Sequence, residues 1–256
     1  MELFDSHAHY NDESFKEDLD EIILENYNKG IIKTTCVGYN LDSSKQAIKI
    51  SNKFDFIYAT CGISPNDLTD NTINELNQIE ELAKNKKIVA IGEIGLDYYW
   101  NKDNKEEQKV VFIEQIKIAN KLNLPIVIHT RDAVMDTLDI LKNVMSCNKK
   151  GIFHCCPLNV ELIKEAVKLG YYISFSGVIT FKNAKPELAV KQVPLDRLLI
   201  ETDSPYLTPE PFRGKRNDPG KVEYVAKKLA EILELDFEEI EKVTRENAKR
   251  IFNIIE

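Results

Sequence analysis

A barrel of eight alternating strands and helices, the (β/α)8 or TIM barrel of the α/β class, is the fold this sequence predicts. Three observations carry that reading. Short β-branched and apolar runs recur eight times, separated by helical patterns. A long helix after a strand makes a crossover connection and therefore a parallel sheet. Eight such units fit a chain of 256 residues. The competing fold is a doubly wound open sheet, whose nucleotide-binding form carries Gly-x-Gly-x-x-Gly after its first strand. No such run follows Asp5.

Taken in order, the strands are read at Leu3–Asp5, Ile31–Val37, Phe56–Cys61, Ile88–Gly92, Pro125–His129, Gly151–His154, Tyr172–Phe175 and Leu198–Glu201. Helical patterns fill the gaps at Phe15–Lys29, Ser43–Lys53, Thr72–Asn85, Lys105–Leu122, Val134–Cys147 and Val160–Leu169. Two more, at Lys221–Leu233 and Phe237–Asn253, close the chain. No repeat, low-complexity stretch or break in composition marks a linker, so residues 1–256 read as one domain.

A hydrophobic content of 43% suits a globular chain with a sizeable core. No apolar run is long enough to span a bilayer. Glu2, Asp5, Asp12 and Glu13 come too early for a signal peptide. The expectation is a cytoplasmic protein with no membrane contact and no obligatory protein partner. Five Cys, an odd number without repeated Cys-x-x-Cys spacing, make neither a disulfide scaffold nor a zinc ribbon. Cys36, Cys61 and Cys155 are expected as buried free thiols. The net charge of −8 argues against a broad basic face for duplex DNA. It leaves room for nucleic acid at a site where cations offset the charge.

The polar residues fall on a pattern. Alternate residues of an extended chain point the same way, so His7 and His9 can reach one ion together. Glu93 ends the fourth strand, His129 the fifth, His154 the sixth, and Glu201 and Asp203 the eighth. All four His of the chain therefore lie at strand C-termini, the barrel face that holds active sites. Each signal alone is weak: a lone His-x-His suits a solvated strand end, and His129 or His154 could be satisfied core residues. Together they form a ligand set for divalent ions. Six ligands exceed what one tetrahedral ion uses, so two ions are expected, with Glu93 as the candidate bridge. Two ions about 3.5–4 Å apart can activate a water and stabilise an in-line phosphoryl displacement.

The chain resembles the TatD-like metal-dependent deoxyribonucleases of the amidohydrolase superfamily. The resemblance rests on Asp5-Ser6-His7-Ala8-His9, Ile91-Gly92-Glu93-Ile94-Gly95-Leu96-Asp97-Tyr98 and Ile128-His129-Thr130-Arg131-Asp132-Ala133. It extends over Phe153-His154-Cys155, Ser174-Phe175-Ser176-Gly177, Glu201-Thr202-Asp203-Ser204-Pro205-Tyr206-Leu207 and Arg213-Gly214-Lys215-Arg216-Asn217. It implies a distorted barrel and two divalent ions. One would be held by His7, His9, Glu93 and Asp203, the other by Glu93, His129 and His154. It also implies phosphodiester hydrolysis, typically of DNA and from single-stranded ends. Three positions depart from the family. Ser64-Pro65 stands where a His is usual, Cys156-Pro157-Leu158 replaces an aromatic residue, Ser and Gly, and Asn217-Asp218-Pro219 replaces Asn-Glu-Pro. The first two bear on the substrate pocket rather than on the ligands.

Asp203 is read as a ligand and as the base that takes a proton from the attacking water; a helix N-cap is its plainer alternative. Glu201 either orients a ligand His or a water, or makes a structural ion pair inside the barrel. Arg131, two residues after His129, either holds a phosphate or pairs with Asp132 or a nearby helix. Of Tyr98, Tyr99 and Trp100, at least two are expected to pack on the barrel rather than stack on bases. Cys155 and Cys156 are not expected as ligands or nucleophiles, because N and O ligands fill the centre and no His remains to act as base. Arg213, Lys215 and Arg216 place three cations in four residues beyond the eighth strand. They are expected to overhang the mouth and grip substrate phosphates; the alternative is a solvated turn pairing with Glu210 or Asp218.

The expected activity is thus a two-ion hydrolysis of DNA phosphodiester bonds, with Zn, Mg, Mn, Co or Fe as the metal and with Glu93, Glu201 and Asp203 as catalytic residues. The alternative substrate is an amide or ester, such as an aminoacyl ester on tRNA. A metal-binding protein without catalysis is the remaining reading.

Overall fold

The computed structural model describes residues 1–254. Eight strands form one parallel sheet in sequence order: β1 (Leu3–Ala8), β2 (Ile31–Cys36), β3 (Ile57–Cys61), β4 (Ile88–Asp97), β5 (Ile126–Arg131), β6 (Gly151–Phe153), β7 (Tyr172–Phe175) and β8 (Leu198–Ile200). Helices α1 (Leu19–Asn28), α2 (Leu41–Lys53), α3 (Thr72–Leu82), α4 (Lys105–Leu122), α5 (Val134–Val144) and α6 (Val160–Lys168) alternate with the first seven strands. A single turn, α7 (Glu187–Val190), precedes β8, and α8 (Val222–Leu233) and α9 (Phe237–Phe252) follow it. The result is a nearly closed (β/α)8 TIM barrel. Its seam is stitched by Ser6 Oγ, which donates to Ile200 O at 2.8 Å, and by a parallel bridge between Ala8 and Ser204.

Local chemistry explains several boundaries. At the start of α2, Asn40 accepts the N–H of Ser43 while the Ser43 hydroxyl accepts the N–H of Asn40, both at 2.9 Å. This reciprocal box satisfies two donors that a helix start leaves free. Asn159 caps α6 by accepting the N–H of Leu162 at 3.0 Å. Left-handed Asn123 and Asn253 end α4 and α9, a conformation Asn tolerates better than most residues.

Alternation along the strands splits the core in two. Ile126, Ile128, Phe153, Ile173, Leu198 and Ile200 pack outward with the helices. Phe4, Val89, Val127, Ile152, Tyr172 and Leu199 form a separate inner cluster with Ala248, Ile251 and Phe252 of α9. The barrel interior is thus filled at its N-terminal end, and α9 closes that end with Phe252 against Phe4, ring centres 5.9 Å apart. This leaves the opposite end for polar residues.

Some expectations are corrected. β1 runs to Ala8 and β4 to Asp97, so His7 and Glu93 lie within strands rather than at their ends. The pattern from Phe15 becomes helical only at Leu19, after a separate 3-10 turn over Glu13–Phe15. The seventh unit has a 3-10 turn at Gly177–Thr180 and the short α7 where a full crossover helix would stand. Pro186 and Pro194 bracket α7, and proline interrupts helical hydrogen bonding.

Candidate metal centre

The centre begins with a buried carboxylate that binds no ligand itself. Between Asp5 and Ala8 the register of β1 with β2 is irregular. There the Asp5 carboxylate accepts the N–H of His7 at 3.2 Å, and the N–H and hydroxyl of Thr202 at 3.0 and 2.5 Å. Beyond it, Asp203 N–H donates to His7 O at 2.9 Å and His9 N–H donates to Ser204 O at 2.7 Å. The end of β1 and the segment after β8 are zipped together, which brings Asp203 against both imidazoles. Asp203 sits at φ 53°, an uncommon conformation for a residue with a side chain. It caps no helix: α8 starts only at Val222.

Two groups of donor atoms result. His7 Nε2 and His9 Nε2 are 3.1 Å apart, and Asp203 Oδ1 lies 3.5 Å from the first and 3.3 Å from the second. Glu93 Oε2 faces the same pair at 3.5 and 3.8 Å. Its other oxygen, Oε1, faces His129 Nδ1 at 3.1 Å and His154 Nε2 at 3.5 Å, and those two nitrogens are 3.4 Å apart. Ligand atoms about 2.0–2.1 Å from a tetrahedral ion stand about 3.3 Å from one another. The spacings of both groups match that figure. The residues therefore fit divalent ions by donor chemistry and by distance, and one carboxylate serves both groups.

The histidines keep the carboxylates of the centre ionised. Burial alone would raise the Glu93 carboxyl, but the charge of His154 and hydrogen bonds from His129, His154 and His7 hold it well below its ordinary value. Asp203 is likewise lowered against its burial, by His9 and by the charges of His7 and His154. Both carboxylates are thus anionic at neutral pH. Burial and the charge of His154 lower His7.

Outer partners hold the ligands. Asp97 Oδ2 meets His129 Nε2 at 2.9 Å, leaving Nδ1 to face Glu93. Burial would raise the Asp97 carboxyl, but His129, the Trp100 N–H and Asn66 hold it down at about 2. Asp97 is the functional residue that sequence reasoning left without a role. Its signal was present: Glu93, Gly95 and Asp97 alternate, so they share one side of a strand. Gly95 has φ 146°, and a Cβ there would lie 1.9 Å from His129 O. Only glycine lets β4 approach β5 this closely beside the ligand. Glu201 is fully buried, accepts the Cys155 N–H at 2.7 Å, and has Oε1 3.4 Å from His154 Nδ1. The rings of His7 and His154 stack at 3.9 Å, and both reach within 4.8 Å of Glu201. The Nδ1 atoms of both His and one Glu201 oxygen are buried without a hydrogen-bond partner. Metals on the Nε2 atoms would keep protons on Nδ1, opposite that carboxylate.

A cavity of about 470 Å3 opens over the centre, lined by His9, Glu93, His129, His154 and Asp203 together with Arg131 and Tyr206. Arg131 makes no ion pair with Asp132 or any other carboxylate among the described residues; its guanidinium lies 3.9 Å from the Tyr99 ring centre. Of the three aromatics only Tyr98 is packed away. Tyr99 and Trp100 are 46% and 65% exposed, which corrects the expectation for at least one of them. Cys155 lines the cavity, whereas Cys156 is buried with its thiol toward Pro157 O. Ser64 lines an adjoining lobe with His9, Glu93 and Asn66. The basic run does not line the cavity. Arg213 donates to Thr208 O and lies over Phe181, while Arg216 makes a double contact with Asp18 and covers Phe15. The partner is Asp18, not Glu210 or Asp218. Lys215 is exposed and makes no ion pair among the described residues. Asn217 is buried and donates to Thr202 O and Tyr206 O at 3.0 and 2.7 Å, bracing the segment that carries Asp203.

Comparison with known proteins gives a consistent result. The profile of the family described as TatD related DNase matches residues 4–253. YabD of Bacillus subtilis, an uncharacterized metal-dependent hydrolase, is 48% identical over 253 residues, covering 98% of this chain and 99% of its own. YcfH of Escherichia coli K12, likewise an uncharacterized metal-dependent hydrolase, is 38% identical over 258 residues, covering 99% and 97%. The crystal structure of YJJV, a TatD homologue from Escherichia coli K12, superposes with a TM-score of 0.92 at 26% identity, covering 99% and 98%.

Proposed function

From the premise that the chain belongs to the TatD-related DNase family and is a metal-dependent hydrolase, we propose that it hydrolyses phosphodiester bonds of DNA, preferring single-stranded ends, with two divalent ions. The observation that carries the two-ion reading is the division of Glu93. One oxygen faces His129 and His154, the other faces His7 and His9.

When bound, such ions acidify a water and neutralise charge on a phosphoryl group. The chain's own residues do the rest. His7, His9 and Asp203 form one cradle, His129 and His154 the other, and Glu93 spans them. Asp97 holds the His129 ring, and Glu201 faces the Nδ1 side of His154. Asp203 borders the cavity and is anionic, so its carboxylate is suited to take the proton that the attacking water loses. Arg131 on the cavity wall is suited to a phosphate oxygen. The candidate ligands line a cavity of about 470 Å3, a space that suits a strand end better than a duplex.

The test is metal-stripped protein reloaded ion by ion, assayed on labelled single-stranded DNA, duplex DNA and an aminoacyl ester. Cleavage of single strands that saturates at two ions per chain is expected. Ester release without strand cleavage would transfer the centre to the amidohydrolase alternative.

A further inference from the structure

The loop after β4 carries an aromatic pair that neither the fold nor the metal centre needs. Trp100 is the chain's only tryptophan and Tyr99 is its neighbour. Their rings meet edge to face, with centres 4.8 Å apart. Both remain exposed, although tryptophan is highly buried on average. Arg131 lies against them, its guanidinium 3.9 Å from the Tyr99 ring and 5.5 Å from the Trp100 ring. The cation has no carboxylate partner among the described residues, and it lines both the cavity over the metal centre and the next cavity outward.

The position of this group is built, not incidental. One carboxylate fixes it. Asp97 Oδ1 accepts the N–H groups of Tyr99 and Trp100, each at 2.9 Å, while Oδ2 holds His129 Nε2 and accepts from Asn66. Tyr98 anchors the base of the loop by donating to Asp136 at 2.7 Å. The aromatic pair is thus tied through a single side chain to a residue of the metal centre.

We propose that Trp100, Tyr99 and Arg131 form a ledge that takes one unpaired base and its neighbouring phosphate from single-stranded DNA. This rests on the nuclease reading above. The exposed Trp100 face stacks the base. Tyr99 keeps the guanidinium flat, and Arg131 meets the phosphate as the strand passes toward the centre. A π-face accepts any base, so the ledge selects single strands without selecting sequence. A base inside a duplex has both faces covered and cannot use it.

Trp100 supplies its own probe. Metal-loaded protein is titrated with a phosphorothioate oligo-dT strand and with an abasic strand of equal length and charge. Binding is followed by anisotropy and by Trp100 emission. Oligo-dT should quench Trp100 and bind about tenfold tighter than the abasic strand. Trp100→Ala should erase that preference and Trp100→Phe should restore it, which a merely structural residue would not do. Arg131→Ala should weaken both strands alike and reduce the salt slope by about one. If unmodified oligo-dT is cleaved while its analogue binds without changing Trp100 emission, or no tighter than the abasic strand, the ledge is wrong and the nuclease reading stands. If no strand is bound or cleaved, the nuclease reading fails and the ledge with it.

Discussion

Glu93 and Asp97 lie on one side of the same strand and do different work. Glu93 gives one oxygen to each donor group, so on the two-ion proposal its loss should affect both ions, whereas each His would serve one. Glu93→Ala is expected to lower bound metal, read by elemental analysis, and turnover more than any single His→Ala. Near-normal turnover with two ions retained would show that another residue bridges. Asp97 acts through His129. In Asp97→Asn the amide oxygen can still accept the Tyr99 and Trp100 N–H groups, but the amide nitrogen cannot accept from His129. Metal affinity should fall by about 10- to 100-fold, while the thermal midpoint of the metal-free protein moves little. An unchanged metal Kd would mean that the His129 tautomer does not depend on Asp97.

At the scale of elements, the two ends of the barrel have separate tasks. α9 fills the N-terminal end, and Phe252 is 3% exposed against Phe4. Phe252→Ala should cost about 3–5 kcal/mol in urea unfolding, with two ions still bound by the folded protein. Loss of metal without loss of stability would contradict this division. At the other end, the basic run divides by contact. Arg216 is a tie between its loop and the segment before α1, and such an exposed pair is worth about 0–1 kcal/mol. Lys215 has no such tie. Lys215→Ala should reduce the salt slope of single-strand binding by about one, and Arg216→Ala should leave it nearly unchanged. The reverse result would mean that Arg216 leaves Asp18 to meet the substrate.

At the scale of the molecule, the apolar barrel and bound ions are expected to contribute separately to stability. The inner and outer clusters are complete without the ligands, so chelation should leave far-UV circular dichroism intact. Ions that bind only the folded chain add about 2.7 kcal/mol each at a hundredfold excess over Kd. For a protein of this size each such increment raises Tm by about 5–10 °C. Differential scanning calorimetry with and without chelator measures it. Unfolding on chelation at room temperature would make the metals part of the fold itself. No helix among the described residues is long and apolar enough to cross a membrane.

The barrel was legible before any contact was known, because eight apolar runs with crossover helices admit few topologies. The sequence also determined that every His stands at one face, since strand order and strand direction place side chains before any packing is known. It did not show where strands stop. Gly95 and the hydrogen bonds of Asp97 carry β4 past Glu93, and those depend on β5 being alongside. Which oxygen of Glu93 faces which histidines emerges from the closed barrel alone, because the pair His7 and His9 lies more than a hundred residues from His129 and His154. The tertiary structure alone paired Arg216 with Asp18, 198 residues away in the chain, and tied that cation to the segment before α1. It left Tyr99 and Trp100 in solvent, on a loop whose backbone is held by Asp97. Period and composition read what a residue's own neighbours impose; contacts that close only when the barrel closes are beyond them.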